Sequence, residues 1–426
     1  METSKVRRAV LSTIVCNTLV WYDYILFGSL ASTIGNLFFP MGDGVTRLIS
    51  SFCVFAVGFC MRPFGAGIFG HIGDRYGRRV ALVVSIAAMS VPMGFMAVIP
   101  TYESAGAAAA VLLVICRLIQ GFSLGGESGN ATFLIEHSKS NRAGLFGSFE
   151  VLSAVLGSVF ALTVKMLSEH LTGGNFFVWG WRIPFVIGFI IGIISIIMRL
   201  KTGESPAFAA NTTRKGGVIK SPVKHLFKNY KRPLILAICI DCIENCSFHI
   251  FMVFFANYVR NFSSLSAEPL LAEGIEAVIV CICGILTVAF GALSDVLGRK
   301  KVMMTASAAL FVFAIPVFWL LSQQSIVCVA AGYLLFAIPF AATLGPSSAA
   351  MSELFPTKVR YTGFGMARNI SSAFGGGLAP VLCAWLMKST GLAVSPGFCV
   401  MFWALVAFVA LKQITKHDIY RDWAKK

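Results

Sequence analysis

Charge is the scarcest ingredient of this sequence. Only 13% of its residues are Asp, Glu, Lys or Arg, about half of what a soluble globular domain carries. Acids are scarcer still, 19 against 35 Lys and Arg, for a formal net charge of +16. So few charges exclude an ordinary water-soluble domain. No Gly-x-x-x-x-Gly-Lys-Ser/Thr loop is present, which removes ATP-driven work on a phosphate-cradling loop. No His-Glu-x-x-His pair occurs, and no polar stretch is long enough for a soluble catalytic domain, so an enzyme is not expected. A cleavable leader is not expected either. The apolar run after Lys5-Val6-Arg7-Arg8 is too long and lacks a convincing cleavage site, so it reads as a first membrane span.

Apolar residues are what the chain has in excess, 57% of 426, with a mean hydropathy of +0.80. Runs of about 20 apolar residues recur, each long enough to cross about 30 Å of hydrocarbon as a helix. Lipid offers no partner to unpaired backbone groups, so the spans are expected to be helices. They fall near 10–37, 46–69, 80–99, 107–135, 143–167, 180–198, 233–259, 270–293, 302–321, 326–351, 361–387 and 394–412. The expected fold class is an all-α membrane protein with twelve transmembrane helices in two six-helix halves. The one long polar break lies near the middle, giving a first half at 1–199, a linker at 200–232 and a second half with a short tail at 233–426. The linker is basic, includes Arg214-Lys215-Gly216-Gly217, and is expected to be flexible or partly amphipathic.

Most Lys and Arg fall in segments on the same side as the N-terminus. The opposite loops hold Arg47, Arg260 and Lys388, and Arg62, Arg117, Lys165, Arg182 and Arg368 lie within spans. The positive-inside bias then puts both termini in the cytoplasm. It also accounts for the basic balance without nucleic acid as a partner. The twelve Cys lie almost wholly inside spans, where they act as small apolar residues, and no disulfide is expected.

A charged knot, GHIGDRYGRR at Gly70–Arg79, sits between two apolar runs, and GALSDVLGRKK at Gly291–Lys301 repeats it about half a chain away. Glu136, Arg142 and Gly144 recur as Glu353, Arg360 and Gly363. The pairs occupy the same place in each half, which makes the chain a parallel repeat. With these motifs the chain resembles the major facilitator superfamily. The resemblance implies that Gly70, Asp74, Arg75, Gly77, Arg78 and Glu136 in one half, and Asp295, Gly298, Arg299, Glu353 and Arg360 in the other, form cytoplasmic gates. Exposed ion pairs are each worth less than about 1 kcal/mol, weak enough to part in every cycle. The alternative is that these charges only enforce topology.

Six further stretches narrow the resemblance: NTLVWYDYILFG (17–28), MRPFGAGIFGHIGDRYGRR (61–79), RLIQGFSLGGES (117–128), WGWRIPF (179–185), GESPAF (203–208) and ELFPTKVRYTGFGMARN (353–369). They are similar to the metabolite:proton symporter branch, which moves small organic acids and also proline and betaine. The resemblance implies a proton as coupling ion, no other cofactor, a small-molecule substrate, the lipid bilayer of the inner membrane and a monomer.

Ionisable residues at membrane depth are costly and persist when paired or when they line a wet cavity. Asp23 reads either as a proton- or substrate-linked carboxylate or as the partner of a cation on another helix. Arg117, Gln120, Leu124 and Glu127 follow helical steps and trace one stripe. There Arg117 is an anion-attracting fork beside a protonatable Glu127, or else a staple to an acid such as Asp23. Glu150 reads as an extra proton site or as a counter-charge for Arg62 or Arg117. Asp241, Glu244, Asn245, Phe248 and His249 crowd polarity into the seventh span; Cys242, Cys246 and His249 share a helical spacing there, but no fourth ligand is evident and no metal site is expected. Arg368, followed by Asn369, either brackets an anion together with Arg117 or neutralises Asp241 or Glu244. The glycines around Gly375 and Pro380 loosen helix 11, whether for bending or for close packing.

The expected function is proton-coupled symport of a small organic acid by alternating access. Asp23, Glu127 and Glu150 are the proton-coupling candidates, and Arg117, Gln120, Tyr22, Asn245, Phe248, Arg368 and Asn369 the substrate-binding candidates. A proline/betaine carrier is the alternative, with Trp21, Tyr22, Tyr24 and Phe248 available for an aromatic box. A passive uniporter and a non-transporting receptor are further alternatives.

Overall fold

The computed structural model describes residues 2–41, 44–127, 129–138, 140–212, 219–255, 258–259, 269–323 and 325–421. Among the described residues there are helices and turns and no strand. Ten helices are long and apolar enough to cross a membrane. Arg260 and Arg214-Lys215-Gly216-Gly217 lie outside the described residues, as do the side chains of Arg47 and Lys388.

The chain forms two compact units, residues 1–137 with 153–223, and residues 138–152 with 224–426. The first contains α1 (Glu2–Ser29), α2 (Ala31–Phe38), α3 (Gly44–Arg75), α4 (Arg78–Val98), α5 (Tyr102–Ala105), α6 (Ala107–Leu124), α7 (Gly129–His137), most of α8 (Ala143–Thr172), α9 (Ile183–Leu200) and α10 (Pro206–Thr212). Here α3 packs on α6, α4 on α6 and α9, and α1 on α9. Missing side chains make the α3–α6 approach possible. A methyl added at Gly121 would stand 2.1 Å from the Gly58 carbonyl oxygen, so the two backbones touch where larger residues would hold them apart.

The second unit contains α11 (Pro222–Asn229), α12 (Lys231–His249), α13 (Pro269–Leu297), α14 (Arg299–Leu321), α15 (Ile326–Glu353), α16 (Arg360–Ser371), α17 (Ala379–Thr390) and α18 (Pro396–Gln413). α15 packs against α13 and α14, and α18 against α14 and α12. An aromatic core ties these helices together: the Phe255 ring lies 5.0 Å from Phe336 and 5.5 Å from Phe318.

Four expected spans are interrupted. The 10–37 span breaks at Leu30 between α1 and α2. The 107–135 span divides into α6 and α7 around the turn at Gly125–Glu127. The 233–259 span follows α12 only to His249, where the helix widens into a π-turn over Ile250–Phe254. The 361–387 span is α16, a π-turn at Ser372–Gly377, and α17. Close packing accompanies this last break: a methyl at Gly375 would meet the Cys242 carbonyl oxygen at 2.6 Å, and one at Gly376 the His249 ring at 2.6 Å. Neither α16 nor α17 is long enough to be a span alone, which is why fewer continuous spans appear than expected.

The charged knots are also tighter than a loop. α3 runs to Arg75 and α4 starts at Arg78, while α13 runs to Leu297 and α14 starts at Arg299. Gly77 at φ 118° and Gly298 at φ 95° make the corners, in a backbone region that only glycine enters readily.

Candidate functional site

In the first unit, α1 and α6 bring Asp23, Arg117 and Gln120 into one closed triad. Arg117 Nη1 donates to Asp23 Oδ2 and to Gln120 Oε1, both at 2.9 Å, and Gln120 Nε2 donates to Asp23 Oδ1 at 2.7 Å. The guanidinium also covers the Phe27 ring at 4.0 Å. All three polar side chains are buried. Glu127 is not on their helix. It sits in the turn after α6 and faces Arg62 at 3.6 Å, so the four-residue stripe ends at Leu124. Tyr22 is committed to the core, where its hydroxyl donates to the Pro184 carbonyl at 2.7 Å.

The letters Gly121-Phe122-Ser123-Leu124-Gly125 match a nucleophile-elbow pattern, which requires a strand before and a helix after the serine. Here Ser123 lies inside α6 and its hydroxyl donates to the Ser85 carbonyl at 2.6 Å. It is a helix-to-helix contact.

The second unit holds a larger cluster built from α8, α12, α15 and α16. Arg368 Nη1 stands 2.9 Å from Glu244 Oε1, and its Nε 3.3 Å from Asp241 Oδ1. Its Nη2 donates to Ser348 Oγ at 3.3 Å, and Ser348 donates on to Glu150 Oε2 at 2.8 Å. Ser347 donates to Glu244, and Ser371 to Asp241. Asn245 Nδ2 donates to Asp241 Oδ2 at 2.8 Å. Arg368 is thus engaged by both helix-7 acids. Glu150 takes its hydrogen bond from a serine on α15. Three acids surround one guanidinium in this set.

The remaining candidates on these helices serve the backbone or the packing. Asn369 donates to the Gly365 carbonyl at 2.8 Å. The His249 ring bonds the Asn245 carbonyl at 2.8 Å and lies edge-on to Phe248. Among the described residues, no group of three or more His, Cys, Asp or Glu is arranged to hold a metal. The ten described cysteines are free thiols.

The candidate gate residues supply two largely buried networks. Arg78 pairs with Asp74 at 2.9 Å and donates from Nε and Nη2 to the two Glu136 oxygens at 3.3 Å. Both Arg78 and Asp74 are withdrawn from solvent. In the second unit, Arg299 pairs with Asp295 and Glu353, both at 2.9 Å, and Arg421 reaches Glu353 at 3.1 Å. Asp295 also accepts the backbone N–H groups of Gly144 and Leu145 at 2.9 Å, covering the first turn of α8. The expectation of weak, exposed latches therefore needs correction. Removing one partner of a buried pair costs about 3–5 kcal/mol, because the other charge is left uncompensated.

Arg75 is exposed and donates to the Lys220 carbonyl, Gly70 lies inside α3, and Arg360 donates to the Ser352 and Phe355 carbonyls at 3.1 Å, bracing the turn between α15 and α16.

Three participants escaped the reading of single residues. The Glu204 carboxylate accepts the backbone N–H groups of Arg78 and Arg79 at 3.1–3.3 Å, an acid placed on a helix N-terminus. Ser205 donates to Glu136. Both lie in the GESPAF stretch, where an isolated acid just after an apolar run was the available signal. Arg199 is the third participant. It is fully buried, donates to Asn130 at 2.9 Å and Thr13 at 3.3 Å, and covers the Phe133 ring at 4.6 Å.

A carrier of small solutes is the class of protein that this multi-span helical frame and its buried charges define. The chain belongs to the Major Facilitator Superfamily, whose family model matches residues 13–380. It is a transporter of that superfamily and a multi-pass protein of the inner membrane. The proline/betaine transporter of Escherichia coli (strain K12) is 32% identical over 421 residues, covering 96% of this chain and 83% of the relative. The alpha-ketoglutarate permease of the same organism is 29% identical over 415 residues, covering 96% and 94%. The solved proton:xylose symporter XylE, bound to 6-bromo-6-deoxy-D-glucose, superposes with a TM-score of 0.75 over 97% of this chain and 95% of its own. At 15% identity that likeness speaks for the fold alone.

Proposed function

We propose that the chain is a proton-coupled symporter of a small zwitterionic solute of the proline or betaine class. The observation that carries this reading is the surplus of acid around Arg368: Asp241, Glu244 and Glu150 are connected to it directly or through Ser348. A free organic acid entering this set meets three carboxylates and one guanidinium that is already paired. A zwitterion suits it better. Its carboxylate replaces an acid on Arg368, and its cationic nitrogen takes up the acid released. The proline/betaine relative supports the same cargo class. In this reading the twelve-span topology is completed by α3 and by the interrupted α16–α17 segment, and both termini are cytoplasmic.

The chemistry of the partners separates the proton-coupling candidates. Asp23 is held by Arg117 and Gln120, whose N–H groups only donate. Those N–H groups offer no acceptor to a proton on Asp23. Glu150 is held by a serine hydroxyl, which accepts as readily as it donates. Rotation of Ser348 gives a proton on Glu150 an acceptor, so Glu150 is the preferred coupling acid and the Asp23 triad a structural brace. Coupling of the proton then works through occupancy: protonating Glu150 removes one charge from an acid-rich set before cargo closes over it.

The test is uptake into proteoliposomes under an imposed inward proton gradient, with labelled proline, betaine, 2-oxoglutarate and citrate, with and without uncoupler. Accumulation of proline or betaine that collapses with uncoupler is the expected result. Accumulation of 2-oxoglutarate or citrate alone overturns the zwitterion reading in favour of an organic-acid carrier. That second reading has one specific support, the alpha-ketoglutarate permease among the relatives.

A further inference from the structure

Where α11 meets the start of α12, the second unit opens a cavity of about 650 Å³ that no part of the transport chemistry uses. Its size falls within the range of about 300–1,000 Å³ typical of small-molecule sites. The rim carries Lys224, Lys228 and Lys231. All three are exposed, and the first turn of α12, where Lys231 stands, holds no acid. Among the described residues none of the three has an acidic partner. The wall below is apolar: Ile235 is 59% exposed, Ile238 and Ile370 are half-buried, and Leu234 closes the floor.

We propose that this groove binds one anionic phospholipid, with its phosphate on the three lysines and an acyl chain along Ile235, Ile238 and Ile370. Groove and lipid are complementary at two levels. Three unpaired ammonium groups within two helical turns repel one another unless an anion lies among them, and each basic residue near a membrane surface adds to the hold on an anionic headgroup. The positive end of the α12 dipole adds to the same field. An apolar wall directly beneath a cationic rim is where a headgroup and its chain have to part, which a free phosphate or a soluble acidic peptide does not require.

The segment is also built to hold its lysines in place. Leu226 is fully buried and anchors α11 to the unit. The Tyr230 ring between the two helices lies tilted at 5.8 Å from His225 and edge-on at 6.4 Å from Tyr420. His225 reports the local field. Burial first, then the charges of Lys358 and Lys228, hold its imidazole below the usual range. A fixed positive field without a counter-ion is what an anionic lipid would neutralise.

The experiment uses the full chain in detergent, titrated with phosphatidylglycerol or with phosphatidylcholine of the same acyl chains, and counts the first retained lipid by native mass spectrometry. Phosphatidylglycerol should be retained at concentrations where phosphatidylcholine is lost. The K224Q/K228Q/K231Q variant should weaken the first phosphatidylglycerol by about tenfold or more and leave phosphatidylcholine unchanged. Ile238→Trp, which fills the groove, should weaken it while leaving the lysines in place. Glycerol phosphate without acyl chains should not compete. Equal retention of the two lipids, an unchanged affinity in the triple variant, or full competition by glycerol phosphate would each overturn the proposal. If the triple variant aggregates on size exclusion, Lys224→Gln alone, on an exposed face of α11, decides the same question. Transport plays no part in the readout, so the result stands whether or not the zwitterion reading holds.

Discussion

Arg78 presents two of its nitrogens to the two oxygens of Glu136, at 3.3 Å each, with neither side chain reaching water. The pair joins the start of α4 to the end of α7. Its burial fixes what a variant should do. Glu136→Ala leaves Arg78 with Asp74 as its carboxylate at 2.9 Å and a half-compensated charge. The expected loss is about 3–5 kcal/mol, read as a lower apparent melting temperature in detergent. Glu136→Gln, which keeps a hydrogen-bond acceptor, should lose less.

Glu204 offers a gentler test of the same network. Its carboxylate covers two backbone N–H groups at the start of α4. Glu204→Ala should cost about 1 kcal/mol, the usual worth of an N-terminal cap, and Glu204→Gln less. Hydrogen exchange should show faster exchange at the Arg78 and Arg79 amides in Glu204→Ala and little change at the far end of α4. Unchanged exchange there would remove Glu204 from the network.

Glu150→Gln and Asp23→Asn should part company. Glu150→Gln is expected to keep cargo exchange across liposomes at equilibrium while losing accumulation driven by a proton gradient. Asp23→Asn removes the charge opposite Arg117 and one of the two acceptor oxygens, and should lower yield and melting temperature before it alters coupling. If Glu150→Gln still accumulates cargo in an uncoupler-sensitive way, the coupling proton rides elsewhere.

The C-terminal segment should come loose in acid. Burial raises the Asp418 carboxyl, but the Thr415 backbone and hydroxyl, and then the Arg232 charge, outweigh it and leave its pKa below the ordinary value. Arg232 Nη1 donates to it at 2.7 Å. A carboxyl depressed on folding stabilises above its unfolded pKa, about 3.9, and that contribution fades as pH falls through the folded value. Limited proteolysis of the tail should therefore be slow at pH 6 and faster below about pH 4. Asp418→Asn should be cut readily at both.

Much of the frame was legible because charge inside an apolar run is rare. Asp23 and Arg117 each stood out as an ionisable residue at membrane depth, and the fold joins them across α1 and α6. The repeated Asp, Gly and Arg of the two knots located both turns. The breaks were less legible. Gly125-Gly126 and Gly375-Gly376-Gly377 read as small residues in continuous helices, since glycine serves close packing and chain interruption alike. Partners far along the chain were legible only as alternatives. Arg368 meets Glu244 because α16 folds against α12, and Glu204 meets the α4 N-terminus because α9 packs along α4. No local pattern encodes either meeting.

The two knots can also be compared letter by letter as descendants of one ancestral segment. Gly77 and Gly298 stand at torsions that disfavour other residues, Asp74 and Arg78 match Asp295 and Arg299 in pairing, and these three positions are identical. Between them Arg75-Tyr76 has become Val296-Leu297, at sites that face outward, with Tyr76 58% and Val296 83% exposed. The two copies differ here, where neither a torsion nor a buried charge constrains them. A saturation library across Gly70–Arg79 should recover the same division: tolerance at 75 and 76, and near-silence at 74, 77 and 78.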